Sequence, residues 1–107
     1  MPTLVIHAPH SLAHLDTYRS FDQIVNNGKA EGYAINRSLF QQLSPEDPVV
    51  VICNVHQKQA RGRIIELLPT EKAGNGIQRY DVVMQDLRPE RYTHAMTRLN
   101  RNGVAVV

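Results

Sequence analysis

Pro48-Val49-Val50-Val51-Ile52-Cys53 opens the stretch that decides the fold. It contains the longest apolar run in the chain. Gln59-Ala60-Arg61-Gly62-Arg63-Ile64-Ile65-Glu66-Leu67-Leu68 follows, and residues 77–87 return after Asn75-Gly76. Three β-type segments joined by short polar connections predict an antiparallel meander, since parallel neighbours need long crossovers. Arg61 and Arg63 alternate with Ala60, Gly62 and Ile64, which gives one basic face and one small or apolar face. The doublets Ile64-Ile65 and Leu67-Leu68 break that alternation, so a bulge shifts the phase or both faces become buried. In the return strand Tyr80, Val82 and Met84 share one face, and Arg79 and Asp81 the other. Asn75-Gly76 is the strongest hairpin signal, although Pro69, Lys72 and Gly74 nearby suggest a looser loop.

Upstream, residues 3–8 read as a short strand apolar on both faces, which belongs inside a sheet or a barrel. Ser20-Phe21-Asp22-Gln23 has the pattern of a capping box opening a short helix, with Phe21, Ile24 and Val25 as its stripe and Gly28 as its stop. Asn36 is a fitting N-cap for a second helix that turns Leu39, Phe40 and Leu43 inward. Ser44-Pro45-Glu46-Asp47-Pro48 then separates the helical part from the meander.

Downstream, Pro89 can stand at the first position of a third helix. Tyr92, Ala95, Met96 and Leu99 recur at i, i+3, i+4 and i+7, with Arg91, His94, Arg98 and Arg101 opposite. Val104-Ala105-Val106-Val107 reads as a closing buried strand.

The chain has 107 residues, a size that predicts one domain over 1–107. Hydrophobic residues make up 42%, with two Phe, four Tyr and no Trp, so the core must be mainly aliphatic. The single Cys53 forms no internal disulfide, which fits a reducing interior, and its apolar setting makes it a small buried hydrophobe. The amino terminus lacks a basic, then apolar, secretion pattern, and no run approaches a membrane span. A soluble cytoplasmic protein without a membrane partner is expected.

No motif in the sequence identifies a reaction. There is no Gly-rich phosphate loop, no paired-Cys motif, no His-Glu-x-x-His and no nucleophile elbow around Ser11, Ser20, Ser38 or Ser44. His7, His10 and His14 fall at spacings of three and four, but Pro9 prevents one helix from presenting all three. They read as surface or loop histidines, and neither a metal nor a cofactor is expected. Glu66, Asp81 and Asp86 lie on or beside the hairpin strands, where carboxylates usually solvate a face.

The net charge of +2 is unevenly placed. Residues 1–53 carry three basic and five acidic side chains, whereas residues 54–107 carry nine and five. That asymmetry predicts a basic face for an anionic partner, formed by Arg61, Arg63, Arg79, Arg91, Arg98 and Arg101, with Tyr80 or Tyr92 as a base-stacking ring.

The order of elements over residues 20–87 resembles the PUA-like barrels, a superfamily that includes the EVE and ASCH domains. The leading strand, two short helices, an acidic turn into Val49-Val50-Val51-Ile52, and the Gly-containing Ala60-Arg61-Gly62-Arg63-Ile64 carry the resemblance. Asp47-Pro48 stands where those families often have Gly-Asp. Members commonly bind RNA or modified bases, and no ligand-binding residue transfers to this chain. The chain also has the look of small bacterial proteins carried on mobile elements. The expected fold is therefore α+β: a curved, mostly antiparallel sheet of five to six strands, partly closed into a barrel and covered by two or three short helices. The expected function is a non-enzymatic module binding RNA or single-stranded DNA. The alternatives are a small-ligand-binding barrel and a homodimeric interaction subunit.

Overall fold

The computed structural model describes residues 2–8, 21–54, 57–72, 74, 76–94, 98–99 and 103–107. Its strands are β1 (Leu4–His7), β2 (Lys29–Ala34), β3 (Pro48–Cys53), β4 (Lys58–Lys72), β5 (Gln78–Glu90) and β6 (Val104–Val106). Two short helices, α1 (Phe21–Asn27) and α2 (Arg37–Phe40), separate the early strands. The six strands form one curled sheet in the order β2-β5-β4-β3-β1-β6.

The meander is as expected: β3 pairs antiparallel with β4, and β4 with β5. Both strands of the hairpin run further than the apolar pattern alone marks, β4 to Lys72 and β5 from Gln78 to Glu90, and Asn75 of the expected turn lies outside the described residues. Strand β1 lies inside the sheet, parallel to β3 and antiparallel to β6. A parallel pair needs a long crossover, and residues 8–47 supply it with α1, β2 and α2. Val104 is fully buried, as the apolar tail requires.

Register divides the side chains. Leu4, Ile6, Val49, Val51, Ala60 and Ile64 belong to one apolar cluster, which α1 covers with Phe21 and Ile24. Leu39, Phe40 and Leu43 pack against the same cluster. Val5, Val50 and Ile52 point the other way, into a smaller cluster closed by Tyr92, Leu99 and Ala105. Burial on both sides accounts for the unbroken apolar run of β3.

Local interactions hold the elements in place. The Asn36 side chain caps α2 by accepting the Leu39 N–H at 3.0 Å. The turn before β3 docks on β4, with Glu46 N–H donating to Ile64 O and Ile64 N–H to Asp47 O. Asp47 also accepts the Ser44 N–H at 2.9 Å, which satisfies this buried carboxylate.

Three irregularities interrupt the β4–β5 ladder, and one interrupts β2–β5. The doublet Ile64-Ile65 marks a real phase shift, and Ile65 is 40% exposed. On β5, Asp86 and Leu87 together face Gly62, and Asp86 adopts φ 59°. A Cβ on Gly62 would stand 2.6 Å from the Gln85 carbonyl oxygen, so the strands approach too closely for any other residue. In β2 the bulge falls on Gly32 at φ 72°. Its N–H donates to Asp81 at 3.0 Å, and its carbonyl accepts from Arg79 at 2.7 Å. Bulges of this kind sharpen twist and curl the sheet.

The third helix expected from Pro89 does not start there. Pro89 and Glu90 continue β5 opposite Ala60 and Gln59, and residues 91–94 and 98–99 carry no helical pairing. The buried Gln59 carboxamide provides the reason: its oxygen accepts the N–H groups of Thr93 at 2.9 Å and His94 at 3.0 Å. These bonds hold Thr93 and His94 against β4, and Tyr92 and Leu99 pack on the second cluster. Ala95, Met96 and Arg101 lie outside the described residues, as do His10, His14 and Ser20.

Replacing Gly62 by Ala forces backbone to yield, not merely a flexible side chain. Overpacking of this kind costs about 1–3 kcal/mol. A Gly62→Ala variant is expected to show a lower urea midpoint, and an unchanged midpoint would contradict the close approach.

Candidate nucleic-acid interface

Of the six arginines singled out in the sequence, Arg61, Arg63 and Arg79 have partners within the protein. Arg61 and Arg63 share the face of Val50, as their register with β3 dictates. Arg61 Nε lies 3.0 Å from a Glu90 carboxylate oxygen. Arg63 holds two carboxylates, Glu46 at 3.1 Å and Asp86 at 2.5 Å. Its pKa is raised further above the ordinary arginine value, first by the hydrogen bond to Asp86 and then by the charges of Glu46 and Asp86. Both acidic partners sit at positive φ, 76° for Glu46 and 59° for Asp86. Arg79 donates to the Gly32 carbonyl and serves the β2 bulge. Arg91 and Arg98 are exposed on the segment after β5, and Arg101 lies outside the described residues.

The two candidate stacking tyrosines also differ. Tyr92 packs in the second cluster and donates its hydroxyl to Asn54. Tyr80 projects from β5 toward α2, where its ring lies on Phe40 with centroids 4.7 Å apart and planes 14° from parallel. A cleft of about 490 Å³ opens beside this pair. Ile35, Asn36 and Arg37 form one wall, and Lys72, Ile77 and Gln78 at the end of the hairpin form the other.

The cleft has a simple electrostatic character. Among the described residues, Arg37 and Lys72 are its charged lining residues and no carboxylate lines it. Neither cation is paired with a carboxylate among the described residues. The polar side chains nearby are engaged by the protein itself. Asn36 Oδ1 caps α2 and accepts from Ser38, while the Gln78 amide donates to the carbonyls of Thr70, Glu71 and Arg79. What the cleft chiefly offers a ligand is ring surface and positive charge, beside Asn36 Nδ2 and Gln78 Oε1.

Arg37 and Lys72 escape a sequence reading that weighs the arginines of the long strands and of the segment after Pro89. The Asn36 cap was the available signal: it places Arg37 and Phe40 three apart on one helical turn, where they share a side. Lys72 joins them through its register opposite Gln78, which depends on the irregularity after Pro69.

Elsewhere, Glu66, Asp81 and Asp86 are not brought together. Asp81 serves Gly32 and lies 3.6 Å from Lys29, Asp86 serves Arg63, and Glu66 stands opposite Val83. Among the described residues no cluster of His, Cys, Asp and Glu is arranged to hold a metal ion, and no helix is long and apolar enough to cross a membrane.

A second polar group surrounds Gln59, which is 2% exposed. Its amide nitrogen donates to Glu90 and to Thr93 Oγ1, and its oxygen accepts two backbone N–H groups. The cluster is fully bonded, so it fixes the chain's path and does not offer open valences. Partial burial pushes the Glu90 pKa up, but hydrogen bonds from Arg61 and Gln59 and the positive charges of Arg61 and His94 outweigh it. The net result lies below the ordinary value of 4.5.

No protein-family model matches this chain, and no curated protein or solved structure matches it. The geometry of the cleft therefore carries the functional reading.

A carboxylate with a lowered folded pKa contributes stability above its unfolded value and loses it as pH falls through the folded value. The stability difference between wild type and Glu90→Gln should be largest near pH 7 and shrink below about pH 4.5. Urea denaturation at about pH 7 and about pH 3 measures it, and a difference independent of pH would contradict the Glu90 assignment.

Proposed function

We propose that this protein is a non-enzymatic module that binds single-stranded nucleic acid in the cleft between α2 and the β4–β5 hairpin. The observation that carries this reading is the placement of Phe40 and Tyr80 beside two cations without a lining carboxylate. The Tyr80 ring supplies a face on which a base can stack, and Arg37 and Lys72 supply charge for the backbone phosphates. An unpaired base can enter such a cleft, whereas a base within a duplex is already stacked and paired.

The likeness of element order to the PUA-like barrels points to the same class of ligand. Arg61 and Arg63 contribute less than the sequence alone suggests, because each must give up a carboxylate before meeting a phosphate. The homodimer alternative draws on the stretch of β4 over residues 65–72, for which β5 is the one strand neighbour among the described residues. That edge carries Pro69, Glu71 and Lys72, residue types that oppose edge-to-edge pairing.

With Asn36 Oδ1 and Gln78 Nε2 engaged internally, few groups are left to read base edges, and binding should tolerate different base sequences. Two phosphate contacts on a single strand give a log–log salt slope of about −1.4. Fluorescence anisotropy with labelled single-stranded DNA and RNA should show this shallow slope. Replacing Arg37 and Lys72 together by Ala should flatten it toward zero, whereas replacing Arg61 and Arg63 together should leave it nearly unchanged. Absence of binding at low salt, or binding indifferent to Arg37 and Lys72, would overturn the proposal.

A further inference from the structure

Phe40 borders a second cleft as well. On the other side of α2 lies an apolar cleft of about 190 Å³, lined by Phe40, Leu43, Pro45, Ile64 and Leu67, with Ser44 and Glu66 at its margin. The Phe40 ring therefore stands between two open volumes, one basic and one apolar, while stacked on Tyr80.

The pair of rings poses a problem for any stacking ligand. A base that uses the Tyr80 face turned toward Phe40 must take the place that Phe40 holds. The apolar cleft resolves the conflict. An apolar cavity of about 150 Å³ holds a benzene molecule, so 190 Å³ has room for a phenyl ring. Its lining atoms lack partners on the open side, and an incoming ring would restore dispersion contacts.

Local structure permits the exchange. Phe40 is half-buried and ends a helix of four residues, too short to be stable except through packing and its cap. The Asn36 cap anchors the start of that turn, which leaves Phe40 at its less constrained end. Tyr80, in contrast, is fixed in β5 between the ladders to β2 and β4.

Resting on the proposal that the basic cleft takes single strands, we infer that Tyr80 is the platform for one unpaired base, and that Phe40 occupies the base's place in the free protein and moves into the apolar cleft when a strand binds. Phe40 is thus a competitor for the site, not a contact of the ligand. The ligand must replace one ring pair with another, and Arg37 and Lys72 tip the exchange through the phosphates. In equilibrium terms, the strand selects the conformer in which Phe40 has withdrawn.

The test uses fluorescein-labelled oligothymidylate at low salt with wild type and three variants. Phe40→Leu keeps an apolar side chain in the core but removes the competing ring, and it should bind about two- to tenfold more tightly, the scale of one aromatic pair. Tyr80→Leu removes the platform and should bind at least about fivefold more weakly. Leu67→Phe fills the apolar cleft, denies Phe40 its destination, and should also weaken binding while the salt slope stays as in wild type. Circular dichroism and thermal melts establish that each variant is folded. Weaker binding by Phe40→Leu, or unchanged binding by both Phe40→Leu and Leu67→Phe, would overturn the exchange while leaving the binding proposal intact. Loss of binding in the wild type itself would remove both. If Phe40→Leu fails to fold, Leu67→Phe decides: weaker binding supports the exchange, and wild-type affinity overturns it.

Discussion

The close approach of β4 and β5 at Gly62 is the constraint on which the rest of the sheet depends. No side chain separates its Cα from the Gln85 carbonyl, and the opposite strand inserts an additional residue there. The bulge resets the register of the ladder, and the shift at Ile65 compensates for it a few residues later. Without the second shift to cancel the first, Pro69 would stand opposite Arg79 instead of Tyr80, and the end of the hairpin that meets Ile35 would be one residue out of register. The two irregularities together thus keep the cleft end of the hairpin in the register that Gln59 to Arg61 begin.

Charge is distributed in accord with this geometry. On the outer face, Glu46, Asp86 and Glu90 gather around Arg61 and Arg63, and two of these acids occupy left-handed backbone positions beside bends in the chain. Exposed pairs of this kind contribute little to stability individually. Their consequence is electrostatic: they offset much of the positive charge of the strand arginines. Arg37 and Lys72, which have no such partners among the described residues, sit where the aromatic rings are.

Much of the fold was legible in the sequence. Apolar alternation identified the meander and Asn36 announced α2, while the doublets Ile64-Ile65 and Leu67-Leu68 left a bulge or two-sided burial open, and only the first coincides with a shift. The two-sided apolarity of residues 3–8 placed β1 inside the sheet, although it did not reveal whether its neighbour would be parallel. The segment after Pro89 was misread because the i, i+3, i+4, i+7 stripe is a local pattern, whereas the contact that decides its path is long-range. Gln59 lies more than thirty residues earlier and captures the backbone of Thr93 and His94. The candidate site was harder still. Its cations come from a one-turn helix and a strand end, and only the registers of three strands bring them beside Tyr80.

The central claim is that a single strand binds on the Tyr80 side of α2. Its most direct test is a titration of isotopically labelled protein with a short oligothymidylate, followed by backbone amide chemical shifts. The account predicts perturbations concentrated at residues 35–40, Lys72 and residues 76–80, with additional shifts at Leu43 and Leu67 as the Phe40 ring enters the apolar cleft. Perturbations centred instead on Arg61, Arg91 and Arg98, or none at saturating oligonucleotide, would contradict it.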